Sequence, residues 1–145
     1  MNYSEIDLQC EDIMWFGIDK NGIVFECTSG GVGCVPKFVC ESKENTAILE
    51  KFFLQELKET TQGTLLTADT DSPLSQDGLS LSKKGVFCFD VAIDDGRPNE
   101  YKKIAIPHHP IGLSDLPNKI KNIMRNHIVD VDVASETFIR VAHAY

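Results

Sequence analysis

A chain of 145 residues, 42% hydrophobic and 25% charged, has the size and composition of one ordinary folded domain. At this length roughly 70% of the unfolded surface is buried on folding, so the core requires neither a metal nor a disulfide. The 22 acids against 14 Lys and Arg leave a formal net charge of −8. That excess excludes a general nucleic-acid or anionic-membrane binder, because phosphate would be repelled.

The opening Met1-Asn2-Tyr3-Ser4-Glu5 has neither the basic start nor the apolar core of a secretory signal. No run approaches the roughly 18 apolar residues of a membrane span. Cys10, Cys27, Cys34, Cys40 and Cys88 are odd in number. With no export signal, that predicts reduced thiols in a cytoplasmic protein.

Two apolar runs, Ile13 to Ile18 and Ile23 to Thr28, flank Asp19-Lys20-Asn21-Gly22. The Asn-Gly pair predicts a β-hairpin, with Phe25 and Cys27 on one face and Glu26 and Thr28 on the other. Ser29-Gly30-Gly31-Val32-Gly33-Cys34-Val35-Pro36 reads as a glycine-rich connection. Ile48, Leu49, Phe52, Phe53 and Leu57 recur at helical spacing, which predicts a helix from about Ser42 to Thr60. Residues 64–82 are turn-rich and read as a surface loop with at most one short helical turn.

Gly85 to Ile93 predicts a buried strand, and Tyr101 to Ile106 its returning partner across Asp94-Asp95-Gly96. Ser114 reads as the N-cap of a second helix, with Leu116, Ile120, Ile123 and Met124 as its buried stripe. Val129, Val131 and Val133 alternate with Asp130 and Asp132, and Thr137 to Ala142 supplies a last strand. Strands in runs, without regular strand–helix alternation, predict a single α+β domain. Its mainly antiparallel sheet would have about five or six strands and two principal helices.

No catalytic constellation stands out, and the reading includes no cofactor and no metal. The glycine loop ends in Cys-Val-Pro rather than Gly-Lys-Ser/Thr, so it reads as a turn and not as a phosphate cradle. The cysteines lack the paired spacing of a structural zinc site. Asp130 and Asp132 read as the wet face of a strand, and Trp15 as an aromatic core anchor. An alternative reading is a small enzyme or ligand-binding domain built on residues 29–36, with Cys34, His108 and His109 converging.

Charge is unevenly distributed. Residues 1–28 hold six acids against one base, and residues 101–127 hold five bases against one acid. A concentrated acidic face steers a basic protein toward it. The exposed carboxylates near turns that would form this face are Glu11, Asp12, Asp69, Asp71, Asp94 and Asp95.

Two resemblances bear on this. Trp15-Phe16-x-x-Asp19-x-x-Gly22 with Ser29-Gly30-Gly31-x-Gly33-x-Val35-Pro36 resembles the opening of a group of small bacterial proteins of uncharacterised activity. Tyr101 followed by Pro107-x-x-Pro110-Ile111 and Leu116-Pro117-x-x-Ile120 resembles their second half. Those anchors mark a fold rather than a chemistry. In size, acidity and lack of catalytic motifs the chain is also similar to immunity proteins of contact-dependent and polymorphic toxin systems. That similarity implies a cytoplasmic binding module that neutralises a co-encoded toxin, such as a basic nuclease, with no direct contact to nucleic acid or membrane.

Overall fold

Alternating apolar residues on either side of Asp19-Lys20-Asn21-Gly22 produce the expected hairpin. The computed structural model describes residues 1–145 and pairs β1 (Met14–Ile18) antiparallel with β2 (Val24–Thr28). Gly22 alone takes the positive φ, 82°. The turn is organised by Asp19, whose Oδ1 accepts the amides of Asn21 (2.8 Å) and Ile23 (2.9 Å).

The strands form one six-stranded sheet ordered β1-β2-β4-β5-β3, with β6 also paired to β5. β4 is Phe87–Val91, β5 Glu100–Pro107, β3 Gly63–Leu65 and β6 Phe138–Arg140. β3 and β6 share one edge of β5, at residues 105–107 and 100–102 respectively. Four of the five pairings are antiparallel, and β2 with β4 is parallel. The sheet is therefore mixed. The parallel pair arises because a long, largely helical crossover returns the chain to the same end of the sheet.

Each face of the sheet carries its own core. Trp15, Phe25, Cys27, Phe87, Phe89 and Tyr101 face a layer made by α1 (Glu5–Cys10), α2 (Lys37–Cys40) and the C-terminal segment. Trp15 sets edge-on contacts to Phe25, Phe38 and Tyr101, with centroids 5.8–6.0 Å apart. Phe16, Ile18, Val24 and Cys88 face α3 (Lys43–Lys51), α4 (Pro73–Ser82) and α5 (Asn118–Met124). Ser42 caps α3 as the sequence suggests, accepting the Asn45 amide at 3.0 Å. The helix is shorter than expected. It widens into a π-helical turn over Phe52–Glu56, where Phe53 stacks on Phe16 at 4.3 Å. Lys84 Nζ, itself buried, donates to the Phe53 and Leu54 carbonyls at 2.7 and 3.0 Å.

The sequence reading missed four elements. Residues 64–82 are not a loop, because Ser72 caps a ten-residue α4 with Pro73 in its first turn. Gly78 interrupts the helical propensity but lies buried against the sheet, where a Cβ would make only ordinary contacts. A Cβ there would lie 3.4 Å from Ile104 and 3.6 Å from Ala105. α1 is set by a Ser4/Asp7 capping box, and α2 and β3 are short. Ser114 caps no α-helix: Leu113–Asp115 is a 3-10 turn, and α5 starts after Pro117. Residues 129–133 bury Val131 and Val133 as expected but form no strand. Their hydrogen bonds go to the end of β1 and to the hairpin turn: the Val129 amide donates to the Ile18 carbonyl (2.9 Å), Lys20 N–H donates to the Val131 carbonyl (3.0 Å), and the Val133 amide donates to Asp19 Oδ2 (3.0 Å).

Asp19 is 2% exposed and accepts three amide protons from two distant segments. Asp19→Ala strands all three donors, and urea denaturation should show a loss of about 3 kcal/mol. Asp19→Asn, which keeps one acceptor oxygen, should lose about half of that.

Candidate functional site

Strand ends, the first turn of one helix and the last turn of another converge on an acidic cleft. It encloses about 230 Å³ and is lined by Asp12, Met14, Thr28, Glu50, Leu74 and Asp77. β1 and β2 place Met14 directly opposite Thr28, and β4 places Asp90 beside Thr28 in register. Glu50 comes from the end of α3 and Asp77 from α4. Asp12 is held at the rim by the Gly30 amide, which donates to Oδ1 at 2.8 Å.

Beneath the cleft lies Glu26, 2% exposed on the same sheet face as Thr28. The Thr28 hydroxyl donates to its Oε1 at 2.6 Å. Desolvation, reinforced by the charges of Asp90 and Asp77, pushes the Glu26 carboxyl up to about 8. It is therefore largely neutral at pH 7. Partial desolvation and the neighbouring Asp77 and Asp12 raise Glu50 as well. Desolvation, then Asp12 and Asp94, raises Asp90. None of Asp12, Glu26, Glu50, Asp77 and Asp90 belongs to an ion pair. Glu26, Glu50 and Asp90 are thus raised by burial and by neighbouring carboxylates, and with no ion pair among the five groups the concavity is acidic.

The expected acidic residues are only partly gathered here. Asp12 lines the cleft, and Asp94 reaches it through its effect on Asp90. Asp69 and Asp71 precede α4, where Asp69 Oδ1 accepts the Asp71 and Ser72 amides at 3.2 and 3.3 Å. Asp95 pairs with Lys102 at 3.6 Å, and Glu11 acts on Tyr3 and Lys43 instead. Glu26, Glu50, Asp77 and Asp90 were missed. The available signal was the Ser-Pro helix start at Ser72, which puts Asp77 in the second turn of a helix. The basic segment lies elsewhere: Lys119, Lys121 and Arg125 belong to α5 and its C-cap, whose following His127 carbonyl bonds the Ile18 amide. Ile18 and Met14 are opposite ends of β1, so these three bases lie away from the cleft, whereas Lys102 and Lys103 stand on β5 with Lys102 in register with Asp90.

Cys34, His108 and His109 share no cavity. The two histidines line a polar hollow with Glu59 and Gln62, whereas Cys34 lines another with Asn99 and Arg140. Burial pushes the Cys34 thiol up, the opposite of nucleophilic activation. Three of the glycine loop's amides are already engaged: Gly30 bonds Asp12, and Val32 and Gly33 bond the Ser29 carbonyl. Gly30 and Gly31 supply positive φ, and a Cβ on Gly33 would fall 2.4 Å from Val91 and 2.7 Å from the Tyr101 hydroxyl. No group of three or more His, Cys, Asp or Glu is disposed to hold a metal ion. No helix is long and apolar enough to cross a membrane.

Two buried groups link stability to pH in opposite directions. Glu26 is raised on folding, so its contribution is full below about pH 4.5 and is lost as pH rises through about 8. Glu26→Gln should remove an alkaline loss of about 1 kcal/mol per pH unit, read from urea midpoints between pH 6 and 8. His127 is lowered by burial, while its Nδ1–H donates to the Phe16 carbonyl at 3.0 Å. Its contribution is present above the ordinary histidine value and is lost as pH falls through the lowered one. The acid limb of the same profile should flatten in His127→Gln.

The chain matches no family model, and no curated protein or solved structure shows significant similarity to it.

Proposed function

We propose that the protein is a binding module for a basic protein partner, and that the acidic cleft receives the partner's Lys or Arg side chains. One observation carries this reading: Asp12, Glu50 and Asp77 line the cleft with Glu26 and Asp90 close by, and none of the five belongs to an ion pair. A folded chain tolerates such self-repulsion at a cost, and an incoming ammonium or guanidinium group relieves it. The cleft volume of about 230 Å³ suits the end of one long side chain rather than a drug-sized ligand. The flanking Asp71 and Asp94 extend the negative field and raise the rate of encounter.

The most concrete form of this function is a cytoplasmic bacterial immunity protein that neutralises a co-encoded toxin. The net charge of −8 and the similarity in profile to that class support it. The partner is then a basic toxin domain, such as a nuclease, whose nucleic-acid-binding cations the cleft would occupy.

Co-expression with the product of the neighbouring gene tests the reading. That product should arrest growth alone, and this protein should restore growth and co-purify with it. A harmless neighbour, or a toxic one that is neither bound nor neutralised, refutes the immunity function. Combined Asp12→Asn, Glu50→Gln and Asp77→Asn should weaken binding by at least about tenfold. Raising salt from about 0.05 to 0.5 M should weaken the wild type far more than this variant. Equal salt dependence would place the contact elsewhere.

A further inference from the structure

A second concavity lies on the opposite layer of the molecule and shares no lining residue with the acidic cleft. It is a groove of about 490 Å³ between α2 and the last segment of the chain. Phe38, Val129 and Val141 supply apolar walls, and Ile128, 53% exposed, forms an apolar lip. The groove continues past Arg140 into a hollow of about 540 Å³ bordered by Asn99 and Tyr145.

The polar groups of this groove are mostly donors. Lys37 and Arg140 line it, and neither has a carboxylate within ion-pair distance. His143 accepts the Val35 amide on Nδ1 at 3.0 Å, which leaves a neutral ring's proton on Nε2 as a further donor. Asp130 is the only acidic residue of the lining. Two unpaired cations beside apolar walls, in a chain of net charge −8, are complementary to an anion with an apolar body.

We propose that this groove is a binding site for a small apolar carboxylate, a chain or ring of about eight carbons. The carboxylate is held between Arg140 and Lys37, and the hydrocarbon lies against Phe38, Val129 and Val141. The site is independent of the acidic cleft and of any protein partner bound there.

Titration of the isotope-labelled protein with octanoate, followed by amide NMR shifts, tests the site. Octanoate should shift residues 37–38, 128–130 and 140–144 saturably, while acetate and octylammonium leave them nearly unmoved. Arg140→Gln and Lys37→Gln should each weaken octanoate binding about tenfold. Their thermal midpoints should match the wild type, since neither side chain makes an ion pair. Should Arg140→Gln fail to fold, Lys37→Gln on the exposed start of α2 reads the same contact. Equal response to octanoate and octylammonium, scattered shifts, or unchanged affinity in both variants overturns the proposal. Movement of the same amides with protein concentration alone also overturns it, because the groove would then bind a second copy of the chain.

Discussion

The carboxylate of Asp19 is the junction on which both halves of the chain depend. It closes the first hairpin by accepting the Asn21 and Ile23 amides, and it holds residue 133 by accepting that amide as well. The last of these bonds spans 114 positions of sequence. It draws Val131 and Val133 onto the sheet face that carries Trp15 and Phe25. With three N–H donors converging, a buried acid is accommodated without a cation. The hairpin can then position β1, whose two ends carry the acidic cleft and the contact to the α5 region.

Glu26 occupies the contrasting situation only seven residues away. It has one hydroxyl donor, no basic neighbour, and like charges from Asp77 and Asp90. Burial without adequate donors favours the neutral acid, so the cleft keeps a protonated group under its negative rim. The two buried acids are thus distinguished by their donors rather than by their burial. Binding of a cation above Glu26 would favour its ionised form, which couples the floor of the cleft to whatever occupies the rim.

Much of the framework was legible because local chemistry and tertiary packing agree there. The Asn-Gly turn, the Ser42 cap and the Phe87–Phe89 strand each carry a signal that needs no distant partner. α4 was obscured because Gly78 looks like a breaker until Ile104 and Ala105 lie against it. Val129 to Val133 shows the reverse case. Its alternation correctly marks buried and exposed residues, but its hydrogen bonds go to the last residue of β1 and to the hairpin turn, and no strand results. The candidate site suffered most, since Asp77 depends on α4, and Glu26 is buried only because helices cover the polar phase of β2. The acid-rich count over residues 1–28 includes Asp12 and Glu26 but not Glu50, Asp77 or Asp90, which the fold brings near them.

The elevated Glu26 also changes how the chain's charge should be counted. Summing formal charges yields −8, but at pH 7 the folded chain holds an additional proton at this position and carries closer to −7. The unfolded chain, with Glu26 in water, has no reason to hold it. Glu26 therefore contributes proton uptake to folding at neutral pH, and the calorimetric enthalpy includes the ionisation heat of the buffer that supplies this proton.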